Sequence, residues 1–147
     1  MLPAGAGTAN ADTITYANSR FGTQITFPAE LFETRHEPPA NGDGMSWASA
    51  DGASLAVYGS YNVVEITPSA YLRQIVEERN RDGAVTYSLG RDGWVVVSGT
   101  RGSDIFYERH LFGAEDVIHS MILTYPRSRQ DDYNPVAGPI ANSLTGP

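Results

Sequence analysis

Two histidines and a glutamate lie close together in the sequence, on either side of a predicted turn. Glu108 and His110 are two residues apart, and His119 follows the Ala114-Glu115 pair. If that turn contains only this pair, the antiparallel register places His110 directly opposite His119, and Glu108 lies on the same side because strand side chains alternate. Two imidazoles and a carboxylate are a usual zinc ligand set. The spacing therefore predicts a metal site, although a buried neutral histidine with a hydrogen-bonding partner is the alternative.

A polar loop followed by aromatic residues is the second candidate site. The stretch EPPANGDG, residues 37–44, is too rich in proline and glycine for a regular element. It does not match the spacing of an EF-hand calcium loop. Long loops of binding domains often meet the partner, and aromatic side chains are frequent anchors. We therefore expect a partner or ligand surface formed by Asn41, Asp43, Trp47, Tyr58 and Tyr61.

The composition removes several kinds of catalysis. The chain has no cysteine, and all 10 of its basic residues are arginine. Thiol nucleophiles, disulfides, Schiff-base lysines and P-loop lysines are thereby excluded. The sequence contains no G-x-S-x-G motif, and His36-Glu37 starts like a zinc-protease motif without its second histidine. A serine–histidine–aspartate hydrolase assembled from distant residues stays open, but we predict no catalytic residue and no cofactor.

Length and charge indicate the kind of protein. A chain of 147 residues fits one domain, and its net charge of −7 repels a phosphate backbone, so we do not expect nucleic acid as a partner. No apolar run is long enough to span a membrane. The Ala9-Asn10-Ala11 pattern resembles a signal-peptidase site, which favours a periplasmic or secreted protein, while an ordinary low-complexity tail is the alternative. We expect a disordered tail over residues 1–12 and a single domain over residues 13–147.

Strands and helices are predicted to be segregated along the chain. Hairpin pairs such as Asp51-Gly52, Asp92-Gly93 and Gly102-Ser103 mark tight turns, and Thr67-Pro68 is a helix start signal. The predicted order is two hairpins, a helix, a four-stranded meander over residues 85–125 and a terminal helix that Pro139 should bend or break. The predicted strands of the early hairpins are Thr13–Ala17, Thr23–Phe27, Met45–Ala50 and Ser54–Tyr61.

The meander should be covered on both faces. Alternation places Trp94, Val96 and Leu111 on one face and Val95, Val97 and Phe106 on the other, and both sets are too apolar to be bare. We therefore predict an α+β fold, an antiparallel sheet with helices on both faces. Arg109, on the first face, would need an acidic partner, which we look for on the first helix.

Three stretches carry a resemblance to known proteins. The early RFGTQITFP, residues 20–28, resembles the opening of PsbP-like proteins, and the order of elements is similar to their α/β/α sandwich. ANGDGMSWASADGASLAVYG (40–59) and VTYSLGRDGWVVVSGTRGSDIFYER (85–109) are similar to uncharacterised exported proteins of alphaproteobacteria. The resemblance covers most of residues 13–144.

The resemblance implies a binding module more than an enzyme. PsbP-like proteins include a photosystem extrinsic subunit, a Ran-binding factor, secretion adaptors and bacterial lipoproteins, and a fold does not carry a function. We expect a non-enzymatic exported binding or adaptor domain that acts on a protein or envelope partner. The alternatives are a periplasmic metal-binding protein that uses His110 and His119, and a hydrolase without a recognisable motif. The sequence does not indicate an oligomeric state.

Overall fold

The computed structural model describes residues 12–147, and the expected signal-peptidase pattern lies outside this range. Nine strands, two α-helices and two short 3-10 helices follow one another in the described part of the chain. The strands are β1 (Thr13–Ala17), β2 (Gln24–Pro28), β3 (Thr34–Arg35), β4 (Gly44–Ala48), β5 (Ser54–Tyr61), β6 (Ala84–Arg91), β7 (Trp94–Arg101), β8 (Asp104–Phe112) and β9 (Val117–Pro126). The helices are α1 (Pro68–Asp82) and α2 (Gln130–Asn142), and the 3-10 helices are Ala114–Asp116 and Arg127–Arg129.

Seven strands form one antiparallel sheet in the order β3-β4-β5-β9-β8-β7-β6, and β1 and β2 form a separate hairpin. The predicted early strands and the loop over residues 37–44 agree with this arrangement to within a few residues. The last strand residue of β2, Pro28, pairs with Thr13 at the open end of the hairpin. Proline is tolerated there because it ends the ladder and no donor is needed beyond it.

Helix α1 begins and ends where the sequence predicts. The Thr67 hydroxyl accepts a hydrogen bond from the Ala70 backbone N–H at 3.2 Å, and Pro68 occupies the first helical position. The helix stops at Gly83, which leads directly into β6. Its apolar stripe packs on β6, β7 and β8, where Ile75, Val97 and Phe106 form a small buried cluster.

The meander is present, but the predicted register of its last pair is wrong by one residue. His110 pairs with Ser120, and His119 pairs with Leu111. Phe112 pairs with Ile118 and the Gly113 N–H bonds the Val117 carbonyl at 2.8 Å, so the turn itself holds three residues, Ala114 to Asp116, of which Glu115 and Asp116 adopt positive φ of 58° and 57°. A shift of one residue moves every β9 side chain to the other face of the sheet. The other two turns keep their predicted register, and Arg101 lies opposite Asp104.

The two faces of the sheet are covered by different elements, as the fold class predicts. Helix α2 and the β1–β2 hairpin cover one face, and α1 covers the other over β6 to β8. The larger core lies under α2 and the hairpin. Its fully buried side chains include Ile25, Phe27, Leu55, Val57, Met121, Leu123 and Ile140.

Helix α2 departs from the prediction because Pro139 does not break it. The helix runs from Gln130 to Asn142 through both Pro135 and Pro139. The two prolines are four residues apart and exposed, and Tyr133, Ala137 and Ile140 bury the opposite side of the helix in the core. This burial supplies the stability that the missing N–H groups do not. Within residues 12–147, no helix has the length and apolarity that a membrane span requires.

Candidate functional site

A chain of buried polar side chains lies between α1 and the sheet. The His110 imidazole is at its centre, with Nδ1 2.7 Å from the Ser120 Oγ and Nε2 2.8 Å from the Glu108 Oε1. All three residues are 0% exposed. They share one face because β8 side chains alternate and Ser120 lies directly opposite His110 on β9. The order hydroxyl, imidazole, carboxylate is therefore set by the register of two neighbouring strands.

Helix α1 completes this cluster with a cation and a phenol. The Arg79 guanidinium donates two hydrogen bonds to the Glu108 carboxylate, from Nε at 2.6 Å and from Nη2 at 3.0 Å. The Tyr71 Oη lies 3.4 Å from His110 Nδ1, and its ring meets the imidazole edge-on. We call Arg79, Glu108, His110, Ser120 and Tyr71 the α1 cluster.

The electrostatics of the α1 cluster keep its carboxylate ionised. Burial alone would raise the pKa of Glu108, but the hydrogen bonds from His110 and Arg79, and their charges, lower it below the ordinary value. The same hydrogen bond to Glu108 raises the pKa of Arg79. Burial raises the pKa of Tyr71, so the phenol stays protonated. The cluster is an ion pair between Arg79 and Glu108 that is extended by hydrogen bonds through His110 to Ser120 and Tyr71.

The α1 cluster has the residue types of a nucleophilic relay but not its exposure. In a hydrolase, a serine activated through histidine attacks a substrate that reaches its Oγ. Here Ser120 is completely buried, its Oγ is engaged by His110, and Tyr58 lies directly opposite it on β5. Glu108 is committed to Arg79 as well as to His110. The arrangement is that of a satisfied polar network that fixes α1 on the sheet.

His119 is not part of this cluster, so the predicted three-residue metal set is not assembled. The one-residue shift of β9 turns His119 to the face that α2 covers, while Glu108 and His110 face α1. Within residues 12–147, no group of three histidine, cysteine, aspartate or glutamate side chains is placed to hold a metal ion. The expectation that His110 and His119 share a face is wrong, because Gly113 bonds Val117 across the strands and the turn holds three residues, Ala114 to Asp116, instead of two.

His119 lies at the end of the sheet, between the C-terminal segment and the β1–β2 hairpin. Its Nδ1 is 2.7 Å from the Thr23 Oγ1. A Cβ on Gly113 or on Gly146 would overlap the imidazole ring, so both positions require glycine for close approach. Burial lowers the pKa of His119, and the nearby Pro147 carbonyl opposes this only in part.

The predicted aromatic surface is divided by the fold. Trp47 is 3% exposed and packs edge-on against Tyr16 and Phe27 in the main core, so the expectation that it anchors a partner is wrong. Tyr58 points to the opposite face of the sheet, because alternation along β4 and β5 separates it from Trp47. Tyr61 alone is strongly exposed, at 56%. The three rings do not form one surface.

The loop over residues 37–44 is held against the first hairpin. Asn18 donates from its amide nitrogen to the Gly42 carbonyl at 2.9 Å, and Arg20 donates to the Asn41 carbonyl at 2.8 Å. The Asn41 Oδ1 accepts a hydrogen bond from the Asp43 N–H, which closes a local turn. Asn41 and Asp43 therefore lie near Arg20, at the same end of the sheet as Tyr61.

The loop over residues 62–66, between β5 and α1, was not among the predicted sites. Its Val63 and Val64 are 83% and 77% exposed, more than any other large hydrophobic side chain of residues 12–147. Asn62 fixes the loop: its Oδ1 and Nδ2 bond the Ile66 N–H and carbonyl, each at 3.0 Å, and its N–H bonds the Asp116 carbonyl at 2.7 Å. We call Tyr61, Val63 and Val64 the apolar tip.

Two kinds of signal account for what the sequence missed. Ser120 was not selected because the assumed register placed His119 opposite His110. The stretch GAED, which contains no Asn-Gly or Asp-Gly pair, was a signal for a longer turn. The apolar tip was visible as the Val63-Val64 pair between a strand end and the Thr67 helix cap, where loops are exposed.

Comparison with known proteins supports the architecture. No family model matches the sequence, and no curated protein matches it. The solution structure of cyanobacterial PsbP (CyanoP) from Synechocystis sp. PCC 6803 is similar to the chain, with a TM-score of 0.62, 12% sequence identity and 98% of each chain covered. At this identity the similarity shows the fold alone. The chain has a PsbP-like α+β fold, as its sequence motifs predict.

Proposed function

We propose that the chain is a non-enzymatic binding or adaptor domain, exported to the periplasm or secreted, that contacts a protein or another component of the cell envelope. The PsbP-like fold is compatible with an accessory domain of this kind. The observation that carries the proposal is the apolar tip, two adjacent valines exposed on a loop that is fixed by hydrogen bonds.

The apolar tip has the properties of a binding anchor. Exposed apolar side chains at a fixed position cost little ordering entropy on binding, since the loop is already in one conformation. All four hydrogen bonds that fix the loop involve Asn62: the three given above, and one from the Glu65 N–H to the Asn62 carbonyl at 3.1 Å. Solvated valines have no role in the core, so their exposure favours an intermolecular contact.

Site-directed photocrosslinking tests the proposal in the cells that produce the protein. A photoreactive phenylalanine analogue replaces Val63 in one variant and Ala50 in the other. Ala50 is a matched control because it is exposed and lies beyond the opposite end of β5. We expect one discrete adduct from position 63 and none from position 50. Equal adducts from both positions, or none from position 63, would contradict the proposal.

A second experiment asks whether the valine side chains supply the binding energy. In this experiment the photoreactive group is at position 61, and the variant carries Val63→Ser together with Val64→Ser. We expect the yield of the adduct to fall by about tenfold, because each valine buried at an interface contributes about 1.5–3 kcal/mol. The unfolding free energy should change by less than about 0.5 kcal/mol, as is usual for exposed positions. An unchanged adduct would show that the partner does not bury these valines.

A further inference from the structure

A cavity opens at the same end of the sheet, beside the two valines of the apolar tip, and shares Tyr61 with the tip. Its volume is about 330 Å³, and the side chains that matter for its chemistry are Arg20, Phe21, Tyr61, Glu115 and His119. Its size is at the lower end of the usual range for small-molecule sites. It contains both aromatic walls and charged groups, which a packing defect in a core would not.

His119 brings an unused hydrogen-bonding atom to this cavity. The residue is 0% exposed and lines the cavity, and within residues 12–147 its Nε2 completes no hydrogen bond, since the nearby Pro147 carbonyl accepts from the Ala114 N–H at 2.8 Å instead. The Thr23 Oγ1 lies 2.7 Å from Nδ1, and when this hydroxyl donates to Nδ1 the imidazole proton is on Nε2. A buried donor without an acceptor costs about 1–3 kcal/mol. An acceptor bound in the cavity would remove this cost.

Arg20 supplies the positive charge. Its guanidinium carbon lies 4.7 Å from the centre of the Phe21 ring and 5.9 Å from that of Tyr61, and the two rings meet edge-on, so the group packs against an aromatic pair. It donates to the Asn41 carbonyl and has no carboxylate partner in the described part of the chain. A planar guanidinium with free N–H groups is suited to a carboxylate.

We propose that this cavity binds a small monocarboxylate with an apolar or aromatic body. The carboxylate accepts from the Arg20 guanidinium and from His119 Nε2–H, and the body packs on Phe21 and Tyr61. Glu115 at the same cavity disfavours a second negative charge on the ligand. The glycines at positions 113 and 146 hold the imidazole in place, because larger side chains there would displace it.

Phenylacetate is a suitable probe because it combines one carboxylate with one aromatic ring. Nuclear magnetic resonance of the folded, full chain follows the His119 ring nitrogens and the Arg20 Nε during titration. We expect saturable shifts of both groups with a Kd below about 10 mM, the range that one charged contact and one aromatic contact support. Benzyl alcohol, which lacks the carboxylate, should bind at least about tenfold more weakly.

Variants separate a built site from nonspecific attraction of anions. Arg20→Gln, at an exposed position, should weaken phenylacetate binding by about tenfold or more, while Arg91→Gln on the edge strand β6 should leave it unchanged. The proposal is wrong if no saturable shift occurs, or if both variants bind as the unmodified chain does. It is also wrong if inorganic phosphate gives the same shifts with equal affinity, since the apolar body would then contribute nothing. None of these outcomes depends on the valines of the apolar tip.

Discussion

The two buried histidines of the meander differ in how their ring nitrogens are used. In His110, Nδ1 is hydrogen-bonded to Ser120 and Nε2 to Glu108, and the Tyr71 hydroxyl lies 3.4 Å from Nδ1 as a weaker second partner. His119 has Thr23 on one nitrogen and no partner on the other within residues 12–147. Both residues are 0% exposed, so burial does not distinguish them. What distinguishes the two histidines is the number of ring nitrogens that have a hydrogen-bond partner.

This difference teaches where binding chemistry can be found in a small domain. A fully satisfied network such as the α1 cluster stabilises one arrangement of helix and sheet, and it leaves no donor or acceptor for a ligand. A half-satisfied side chain at a cavity keeps a cost that a ligand can remove. His110 therefore contributes to the stability of the fold, and His119 is the residue for which we propose a role in carboxylate binding.

The largest expected effect tests the structural role of the α1 cluster. Arg79→Met leaves the Glu108 carboxylate buried without its guanidinium, and the loss of one partner from a buried ion pair costs about 3–5 kcal/mol. Arg79 is 20% exposed and Glu108 0%, so solvent screening is small. Urea denaturation at neutral pH measures the change in the free energy of unfolding.

Arg81→Met on the same helix is the matched control. Arg81 and its partner Glu77 are 70% and 76% exposed and 3.8 Å apart. Because exposed pairs contribute little, this variant should lose less than about 1 kcal/mol. Similar losses for the two variants would show that the buried network does not fix α1. The claim that His110 serves the stability of the fold would then be wrong.

The next effect concerns the close packing around His119. Gly146→Ala places a methyl group against the imidazole, and overpacking of this kind costs about 1–3 kcal/mol. Gly138→Ala in α2 is the control, because nothing lies within 4 Å of its added Cβ and the helix interior favours alanine. That variant should gain about 0.5–1 kcal/mol. Thermal unfolding of the two variants should therefore shift in opposite directions.

A smaller effect compares the hydroxyl partners of the two rings. Ser120→Ala should cost about 1 kcal/mol, since the Tyr71 hydroxyl at 3.4 Å can replace the lost partner of His110. Thr23→Val removes the one side-chain partner that His119 has within residues 12–147, and we expect a loss of about 1–3 kcal/mol. Chemical denaturation gives both values. A larger loss for Ser120→Ala than for Thr23→Val would reverse the comparison.

Local signals in the sequence predicted most of the fold because each acts over a few residues. Asp92-Gly93 and Gly102-Ser103 fixed two turns, and Thr67-Pro68 fixed the start of α1. The exception is Pro139, whose local preference is overridden by the burial of Ile140 and its neighbours in the core. The PsbP-like architecture follows from such signals, since they set the order and the pairing of strands.

The α1 cluster was harder to predict because it depends on the register between β8 and β9. Glu108 and His110 were selected from their types and spacing, and they do lie together. Their partners Arg79 and Ser120 come from elements that only tertiary packing brings near. The expectation that α1 supplies an acidic partner for Arg109 is wrong, because Arg109 stacks on Trp94 at 4.5 Å and α1 instead supplies an arginine, Arg79, to Glu108.

The pH dependence of stability gives the finest distinction. Burial lowers the pKa of His119 below its ordinary value of 6.5, so the unfolded chain binds a proton more readily than the folded one. The stabilisation by the neutral ring is complete above that value and is lost as the pH falls toward the lower folded pKa. The corresponding loss from Glu108, whose folded pKa is also lowered, occurs only below its ordinary value of 4.5. The two groups therefore act in separate windows of pH.

His119→Gln isolates the upper window. The unmodified chain should lose stability between about pH 7 and pH 5, and the variant should show a flatter dependence there while keeping the loss at lower pH. Thr23, Gly113, Gly146 and Pro147 surround the ring, and Arg20 and Glu115 share its cavity, so these groups set the local field. Urea midpoints across this range measure the two slopes. Parallel curves would mean that the His119 ring is protonated as readily in the folded chain as in the unfolded one, which a buried, half-satisfied imidazole does not permit.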